Sequence, residues 1–307
     1  MRKTITVAMV ATVLLNAGVV LAADPAPVCG DVNNSGNLSA SDALAVLKAA
    51  VGQQITLQCA PPGLPLGSGQ TESYGRGDDG EVRSGLTLAY TDNGDGTITD
   101  GNTGRMWEKK IAWDNNADNN HVYCTDEDGT CANPHNANNT YLWTANANPG
   151  TAYNGAAVTI FLNQLNNRCD KDTTLPCTTN TDCSVPTGAC GFAGHRDWRL
   201  PSIKELVSIV DYNIPYPGPT VNAAFNGASC GLACTAITDP TCSCTAADSY
   251  WSASTYAAYP GDAWSVYFSL GGEGAFAKGG NFFVRAVRAG FCAGGAVAGD
   301  GWLCKSG

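Results

Sequence analysis

The sequence is poor in positively charged side chains. Its 17 lysines and arginines stand against 27 aspartates and glutamates, which gives a net charge of −10. Proteins that hold phosphate backbones use clusters of lysine and arginine, and no basic run occurs here, so no nucleic acid is expected as a partner. Histidine is also scarce, because His121, His135 and His195 are the 3 histidines of the chain and lie far apart in the sequence.

Long apolar runs are missing after residue 23. Before that point, Arg2 and Lys3 precede an apolar stretch from Ile5 to Val20 that ends in small residues. This pattern is typical of a cleaved secretory signal peptide, residues 1–23, and the stretch is short for a membrane anchor. We expect a protein that is secreted, extracellular or held at the cell surface, with no membrane span after removal of the signal.

All 14 cysteines follow the predicted signal peptide. An even number of cysteines in an exported chain favours disulfides. We expect two local pairs, Cys124 with Cys131 and Cys292 with Cys304, and two knots at 169–190 and 230–244 whose internal pairing stays open. No cysteines have the two-residue spacing of a zinc knuckle, which disfavours a zinc–thiolate site.

Composition divides the mature chain into three segments. Residues 24–59 form a small unit bounded by Cys29 and Cys59. Residues 60–83, which begin "APPGLPLGSGQ", lack apolar periodicity and indicate a Pro/Gly linker. Residues 84–307 form one Gly-rich domain, interrupted by polar loop insertions at 114–152, 168–192 and 226–248.

The large domain contains patterns of both helix and strand. "AAVTIFLNQLNN" (156–167) and "SIKELVSIVDY" (202–212) have apolar residues at helical spacing. Residues 96–110 predict a hairpin, because "GTITD" and "RMWEKK" flank the turn-type tetrad "GNTG". Strands are also predicted in "YWSAS", "AWSVYFSL" and "FFVRAVR". Two helices, short antiparallel strands and long disulfide-stapled loops together predict an α+β fold.

The segment "DVNNSGNLSASD" places oxygen donors at the spacing of an EF-type calcium loop. The predicted ligands are Asp31, Asn33, Ser35, Asn37 and Asp42. A polar turn before a helix is the alternative. With its flanks the segment resembles one repeat of a type I dockerin, a calcium-dependent module that docks on cohesin domains. The resemblance implies a small helical unit that binds Ca²⁺ and has a cohesin-like partner, although dockerins carry two repeats and one is found here.

Four blocks of the large domain occur in an order shared with a known family. They are "YTDNGDGTITDGNTGRMWEKK", "HRDWRLPSIKELVSIVDY", "YWSAS…AWSVYFS" and "FFVRAVRAG". Over about residues 88–290 the chain resembles the Lcl C-terminal domain-like family, mainly secreted bacterial domains of largely undefined activity. The resemblance implies the C-type-lectin-like fold that formylglycine-generating enzymes share with retroelement-diversified receptors.

The segment "DWRLPSIKEL" (197–206) is expected to be architecture rather than a catalytic cluster. Ser202 and Glu205 have the spacing of a capping box at the start of a helix. Trp198 is expected to bury against the strands, and Arg199 to pair with an acid or with loop carbonyls.

A second calcium site in "DNGDGTITD" would use Asp92, Asn93, Asp95 and Asp100. The favoured interpretation is a hairpin turn, because "NGDG" suits turn positions that need positive φ.

Catalytic chemistry has little support in the sequence. An enzyme needs a nucleophile–base pair or paired carboxylates that converge, and His195 beside Asp197 is the one local acid–base pairing. Formylglycine-generating enzymes use a reactive cysteine pair near the carboxyl terminus, but a structural disulfide is expected for Cys292 and Cys304. No catalytic residue is assigned.

The related receptors build their ligand face from the carboxy-terminal strands and loops, which correspond here to residues 250–283. Aromatic rings mixed with small polar groups suit sugars and protein surfaces. Trp251 and Trp264 are expected to be core rings. The predicted ligand-binding residues are Tyr256, Tyr259, Tyr267 and Asn281. The Glu-Pro-Asn and Gln-Pro-Asp motifs of calcium lectins are missing, so calcium-dependent sugar binding is not expected in this domain.

These patterns predict a secreted or cell-surface, non-catalytic binding protein that recognises a glycan or protein ligand. The alternative is a calcium-stabilised structural or assembly component of an extracellular complex, attached through residues 24–59. A formylglycine-generating-like enzyme is a third, less favoured alternative.

Overall fold

The computed structural model describes residues 65–111, 122–125, 131–146, 152–184, 187–231 and 233–288. Several predictions lie outside these residues. They concern the signal peptide, the calcium loop with Asp31, Asn33, Ser35, Asn37 and Asp42, and the pair Cys292 and Cys304. These stay predictions.

Three sheets and a few short helices make up the described residues. The helices are α1 (Asp79–Val82), a π-helix (Ala157–Leu162) that continues into α2 (Asn163–Asn167), and α3 (Ile203–Val207), with 3-10 helices at Asn180–Cys183 and Phe192–Gly194. The strands are β1 (Tyr90–Asp92), β2 (Thr97–Asp100), β3 (Met106–Glu108), β4 (Val122–Tyr123), β5 (Asn139–Leu142), β6 (Arg168–Cys169), β7 (Asp172–Pro176), β8 (Ser249–Thr255), β9 (Asp262–Tyr267), β10 (Gly272–Ala277), β11 (Asn281–Phe283) and β12 (Val287–Arg288).

The predicted hairpin at 96–110 is confirmed. Strands β2 and β3 pair antiparallel, and with β1 and β12 they form a sheet in the order β1-β2-β3-β12. In the turn before β2, Gly94 and Gly96 have φ of 75° and 95°, which glycine adopts without steric cost. Asp95 Oδ1 accepts hydrogen bonds from Thr97 N and Thr97 Oγ1 at 3.0 and 2.6 Å and so closes the turn. The segment "DNGDGTITD" therefore forms a hairpin turn.

The larger sheet has the strand order β10-β9-β8-β11-β5-β4 and carries a hydrophobic cluster on each face. Neighbouring residues of a strand point to opposite faces, and on β8 these are Tyr250 and Trp251. Trp251 packs in one cluster with Phe161 of the π-helix. Tyr250 packs in the other with Leu206 of α3. The two predicted helical segments therefore cover opposite faces of this sheet.

The prediction that residues 114–152 form a loop insertion is wrong for β4 and β5, which lie within that range. Strand β5 pairs with β11 and β4 inside the larger sheet, and Tyr141 and Trp143 are buried. Asparagine, which is depleted in strands, surrounds these rings in the sequence and hides the pattern. Strand β10 is not predicted either, because its glycines and alanines give no apolar alternation.

The predicted helix at 202–212 is shorter than its apolar spacing suggests. Its α-helical part, α3, ends at Val207, where Ser208 Oγ donates to Glu205 O at 2.6 Å. Beyond it, Val210 forms a bridge to Val221 and is buried. The last apolar residues of the pattern thus reach the core from a turn rather than from a helix.

Ten cysteines of the described residues form five disulfides. The predicted pair Cys124–Cys131 is confirmed. The knots resolve as Cys169–Cys183 with Cys177–Cys190, and as Cys230–Cys244 with Cys234–Cys242. The sulfurs of Cys169, Cys177 and Cys183 lie within 4.8 Å of one another, but each is oxidised in a disulfide and offers no thiolate.

The described part of the predicted linker lies against the domain that follows it. Leu86 N donates to Pro65 O at 2.8 Å, and Tyr212 N donates to Ser68 O at 2.9 Å. The domain boundaries at 59 and 83 stay predictions.

The fold is mostly β, with few helices and several disulfides, which is compatible with the predicted α+β class. None of the helices in the described ranges has the length and apolar character that a membrane span requires.

Candidate ligand-binding surface

The 197–206 segment ties α3 to the smaller sheet. Ser202 N donates to Glu205 Oε2 at 2.8 Å and Glu205 N donates to Ser202 Oγ at 3.3 Å, which is the predicted capping box. Arg199 donates hydrogen bonds to both carboxylate oxygens of Glu205, from NH1 to Oε2 at 2.8 Å and from NH2 to Oε1 at 2.7 Å. Arg105, which precedes β3, adds a bond from its Nε to Glu205 Oε1 at 2.9 Å. The carboxylate therefore links the hairpin to α3.

Glu205, Arg199 and Asp197 of this segment each take part in an ion pair. Burial raises the pKa of Glu205, but the hydrogen bonds and charge of Arg199 outweigh it, and the pKa falls to about 2. Asp197, which lies close to His195 in the sequence, accepts a bond from Arg288 Nε at 2.6 Å. Burial and the charge of Arg288 lower the pKa of His195. Glu205 and Asp197 thus both hold arginines.

A buried group of ionisable residues around Glu108 has no counterpart in the sequence predictions. Glu108 Oε1 lies 2.9 Å from Lys110 Nζ and 2.8 Å from His135 Nδ1, and Glu108 Oε2 accepts from Ala286 N at 3.0 Å. Burial lowers the pKa of Lys110 to about 8. Arg285 NH1 donates to Glu108 O at 2.7 Å. These contacts join β3 to the loop before β5 and to the segment between β11 and β12.

The sequence indicates this group only through a local pattern. "WEKK" gives charged residues inside a predicted strand, which is unusual for a buried position. Its partner His135 lies 27 residues away in an Asn-rich segment. No periodicity connects the two.

A groove opens at the end of the larger sheet where β9 turns back into β10. It encloses about 330 Å³. Its lining residues are Ser249, Tyr267, Leu270, Gly272, Glu273, Gly274 and Phe276. Tyr267, Leu270 and Phe276 are 39%, 60% and 44% exposed. Three partly exposed side chains with apolar surface therefore surround one cavity. We call this cavity the β10 groove.

Two glycines shape the β10 groove. A Cβ atom at Gly272 would meet no atom within 4 Å, so open space lies above this residue. At Gly274 it would come within 2.7 Å of the Phe276 ring. Neither glycine has a φ in the left-handed range, so the backbone does not require glycine there. Glycine inside a strand is typical of sites where another group approaches closely, and here it leaves room for the ring and for the groove.

The core holds the aromatic wall of the groove in place. The Phe276 ring meets Phe282 edge-on at 5.2 Å between centroids. Phe282 in turn stacks on the buried Trp251 at 4.3 Å. This line of rings runs from the centre of the larger sheet to the groove and fixes the position of Phe276.

A smaller cavity of about 100 Å³ adjoins the groove. Its lining residues are Asp248, Ser249, Asn281, Phe282 and Phe283, so that Ser249 borders both cavities. The predicted site residues Tyr267 and Asn281 therefore each line one of two cavities that share Ser249. Among the described residues that line the two cavities, Glu273 and Asp248 are the charged ones, and both are acidic.

Tyr256 and Tyr259 lie elsewhere. The centroid of the Tyr256 ring lies 5.8 Å from that of Tyr259 and 5.1 Å from that of Trp264. Tyr256 and Tyr259 are in the loop between β8 and β9, and Trp264 is in β9. Tyr267 is at the opposite end of β9. At the rise per residue of a strand, it lies about 17 Å along β9 from the first residue of that strand. Trp251 is core as predicted, but Trp264 is half-buried, since it packs beside these tyrosines near the surface. The four predicted residues thus do not come together in one site: Tyr256 and Tyr259 contact each other, whereas Tyr267 and Asn281 line separate cavities that share Ser249.

A family model for the Lcl C-terminal domain matches residues 96–288, more than half of the chain. No curated protein matches the chain. No solved structure matches it either.

Proposed function

This chain belongs to the Lcl C-terminal domain family, and on that premise we propose that it is a secreted or cell-surface, non-catalytic protein that binds a glycan or protein ligand. The proposal places the ligand in the β10 groove, with contacts that continue to Asn281. The observation that carries it is the open space above Gly272 in a cavity that the exposed rings of Tyr267 and Phe276 also line.

The chemistry of the groove suits recognition rather than catalysis. Tyr267 and Phe276 offer rigid ring surface, while Ser249 and Asn281 offer hydrogen-bonding groups at the border. Such a combination gives contact area with little loss of side-chain entropy. The buried ionisable groups around Glu108, in contrast, bond to one another inside the fold.

The proposal predicts that filling the groove abolishes binding. Because a Cβ at Gly272 meets no atom within 4 Å, Gly272→Trp should fold normally and place an indole in the groove. The mature protein would be screened on a glycan array and by pull-down of cell-surface proteins. We expect the ligand found with the wild type to bind Gly272→Trp at least about tenfold more weakly, a loss of about 1.4 kcal/mol.

Gly75→Trp is the matched control, since a Cβ at Gly75 also meets nothing within 4 Å and this residue lies in the segment before β1. It should bind like the wild type. Equal binding by Gly272→Trp and the wild type would refute the placement of the ligand.

The alternative function, a calcium-stabilised assembly component, is supported by the loop "DVNNSGNLSASD". It predicts that Ca²⁺ binds the mature protein and that Asp31→Ala weakens this binding, measured by calorimetry. Deletion of residues 24–60 separates the two functions. An assembly component would lose its cohesin-like partner, whereas a receptor that uses the β10 groove would keep its ligand.

A further inference from the structure

The two edges of the larger sheet differ in how they are protected. The edge strand β4 has two residues and is followed directly by the disulfide Cys124–Cys131. The opposite edge strand, β10, has six residues and is exposed or half-buried along its length. A short strand is a common way to block unwanted pairing, and β10 lacks this protection.

The outward backbone groups of β10 can be identified from its pairing with β9. In an antiparallel pair the backbone groups of successive residues point alternately toward and away from the neighbouring strand. Lys278 N donates to Gly261 O at 3.0 Å, and Gly274 O accepts from Ser265 Oγ at 3.3 Å, so the even-numbered residues face β9. The backbone N–H and C=O groups of Glu273 and Ala275 therefore point out of the sheet.

The composition of β10 leaves this edge open. Proline, lysine and bulges are the usual devices that prevent strand addition, and "GEGAFA" contains none of them. Its pairing with β9 runs in continuous register from Gly272 to Ala277. Glu273 is its one charged residue, and within the described residues it makes no ion pair.

We propose that a partner's extended segment adds to the larger sheet as a strand beside β10, an inference that rests on the proposed binding function and names its ligand. The segment hydrogen-bonds to Glu273 and Ala275. Side chains opposite Gly272 and Gly274 share the face of Tyr267 and enter the β10 groove. Main-chain bonds supply affinity in this mode, and pockets for alternate side chains supply specificity.

Charge decides the chemistry of the partner segment. The charged residues that line the two cavities, Glu273 and Asp248, are acidic, and the whole chain has a net charge of −10. A basic residue opposite Glu273 is therefore attracted, while a second copy of this acidic chain is repelled. The segment that fits alternates apolar residues, which enter the groove, with lysine or arginine on the other face.

The test uses a fluorescent peptide in which valine and lysine alternate, and anisotropy to follow its binding to the mature protein. Ala275→Pro removes the outward N–H and leaves the bonds to β9 intact, so peptide binding should weaken about tenfold, the value of one lost hydrogen bond. Ala275→Val keeps the N–H and is the matched control. Circular dichroism checks that both variants are folded.

A second variant tests the inference if Ala275→Pro does not fold. Glu273→Lys leaves the backbone unchanged and should transfer the preference to a peptide in which valine and glutamate alternate. Undiminished peptide binding by both variants would overturn the inference, as would a wild-type dimer in sedimentation that Ala275→Pro dissociates. The inference would also be overturned if the peptide did not bind the wild type, while a glycan bound the wild type but not Gly272→Trp. That result would leave the proposed function standing.

Discussion

Replacing Glu205 by glutamine tests whether the 197–206 segment is architecture. Glutamine is also accepted at this position of a capping box, so Glu205→Gln can keep the bond from Ser202 N while it removes the charge that holds Arg199 and Arg105. We expect the variant to fold and to keep its ligand, but to be less stable near neutral pH.

The magnitude follows from the pKa of Glu205. A carboxyl whose pKa falls from 4.5 to about 2 on folding contributes about 3 kcal/mol at most. Because Arg199 and Arg105 are about one-third exposed, solvent screens the pair, and about 1.5–2 kcal/mol is the expected loss. Since the folded pKa is the lower one, this stability is present above pH 4.5 and disappears as the pH falls toward 2.

Urea unfolding of both proteins between about pH 6 and about pH 3 measures the effect. The wild type should lose stability more steeply than Glu205→Gln as the pH falls, so that the two curves converge. Glu273→Gln, which changes an exposed acid without an ion pair, is the control and should follow the wild type. A difference between wild type and Glu205→Gln that stays constant with pH would refute the assigned role of the ion pairs.

Two further predictions concern a helix cap and a disulfide. Ser202→Ala removes the N-cap acceptor of α3 and should lower the free energy of unfolding by about 1 kcal/mol in the same urea assay, whereas no change would mean that the cap is dispensable. The double variant Cys124→Ala, Cys131→Ala frees a loop with a sequence separation of 7 and should lose about 2.5 kcal/mol, measured by thermal unfolding against the wild type under non-reducing conditions. A fully stable double variant would show that the disulfide does not restrain the unfolded chain.

Features that depend on neighbours in sequence could be predicted. The hairpin at 96–110, the box formed by Ser202 and Glu205, and the Cys124–Cys131 pair each need only residues within a few positions of one another. Their local geometry follows from turn chemistry, cap spacing and short loop closure.

Features that depend on distant pairing could not. Strand β5 owes its place to β11, far along the chain, and its asparagines argue against a strand until that partner is known. Likewise, Glu108 of β3 contacts His135, which lies 27 residues away in the loop before β5.

Only part of the candidate surface could be predicted from the sequence. Tyr267 and Asn281 were predicted from their residue types within the region that the family resemblance implied, and they line two cavities that share Ser249. The glycines of β10 carry no side-chain signal, although they shape the groove. The pairing of Tyr256 with Trp264 likewise needed the β8–β9 loop to be seen.

Hydrogen–deuterium exchange with the ligand identified by the array or pull-down tests the central claim most directly. If recognition takes place in the β10 groove, saturation with ligand should slow exchange at the amides of Gly272–Ala277 and leave Ile203–Val207 unchanged. Slowed exchange at Ile203–Val207, with β10 unaffected, would contradict the account.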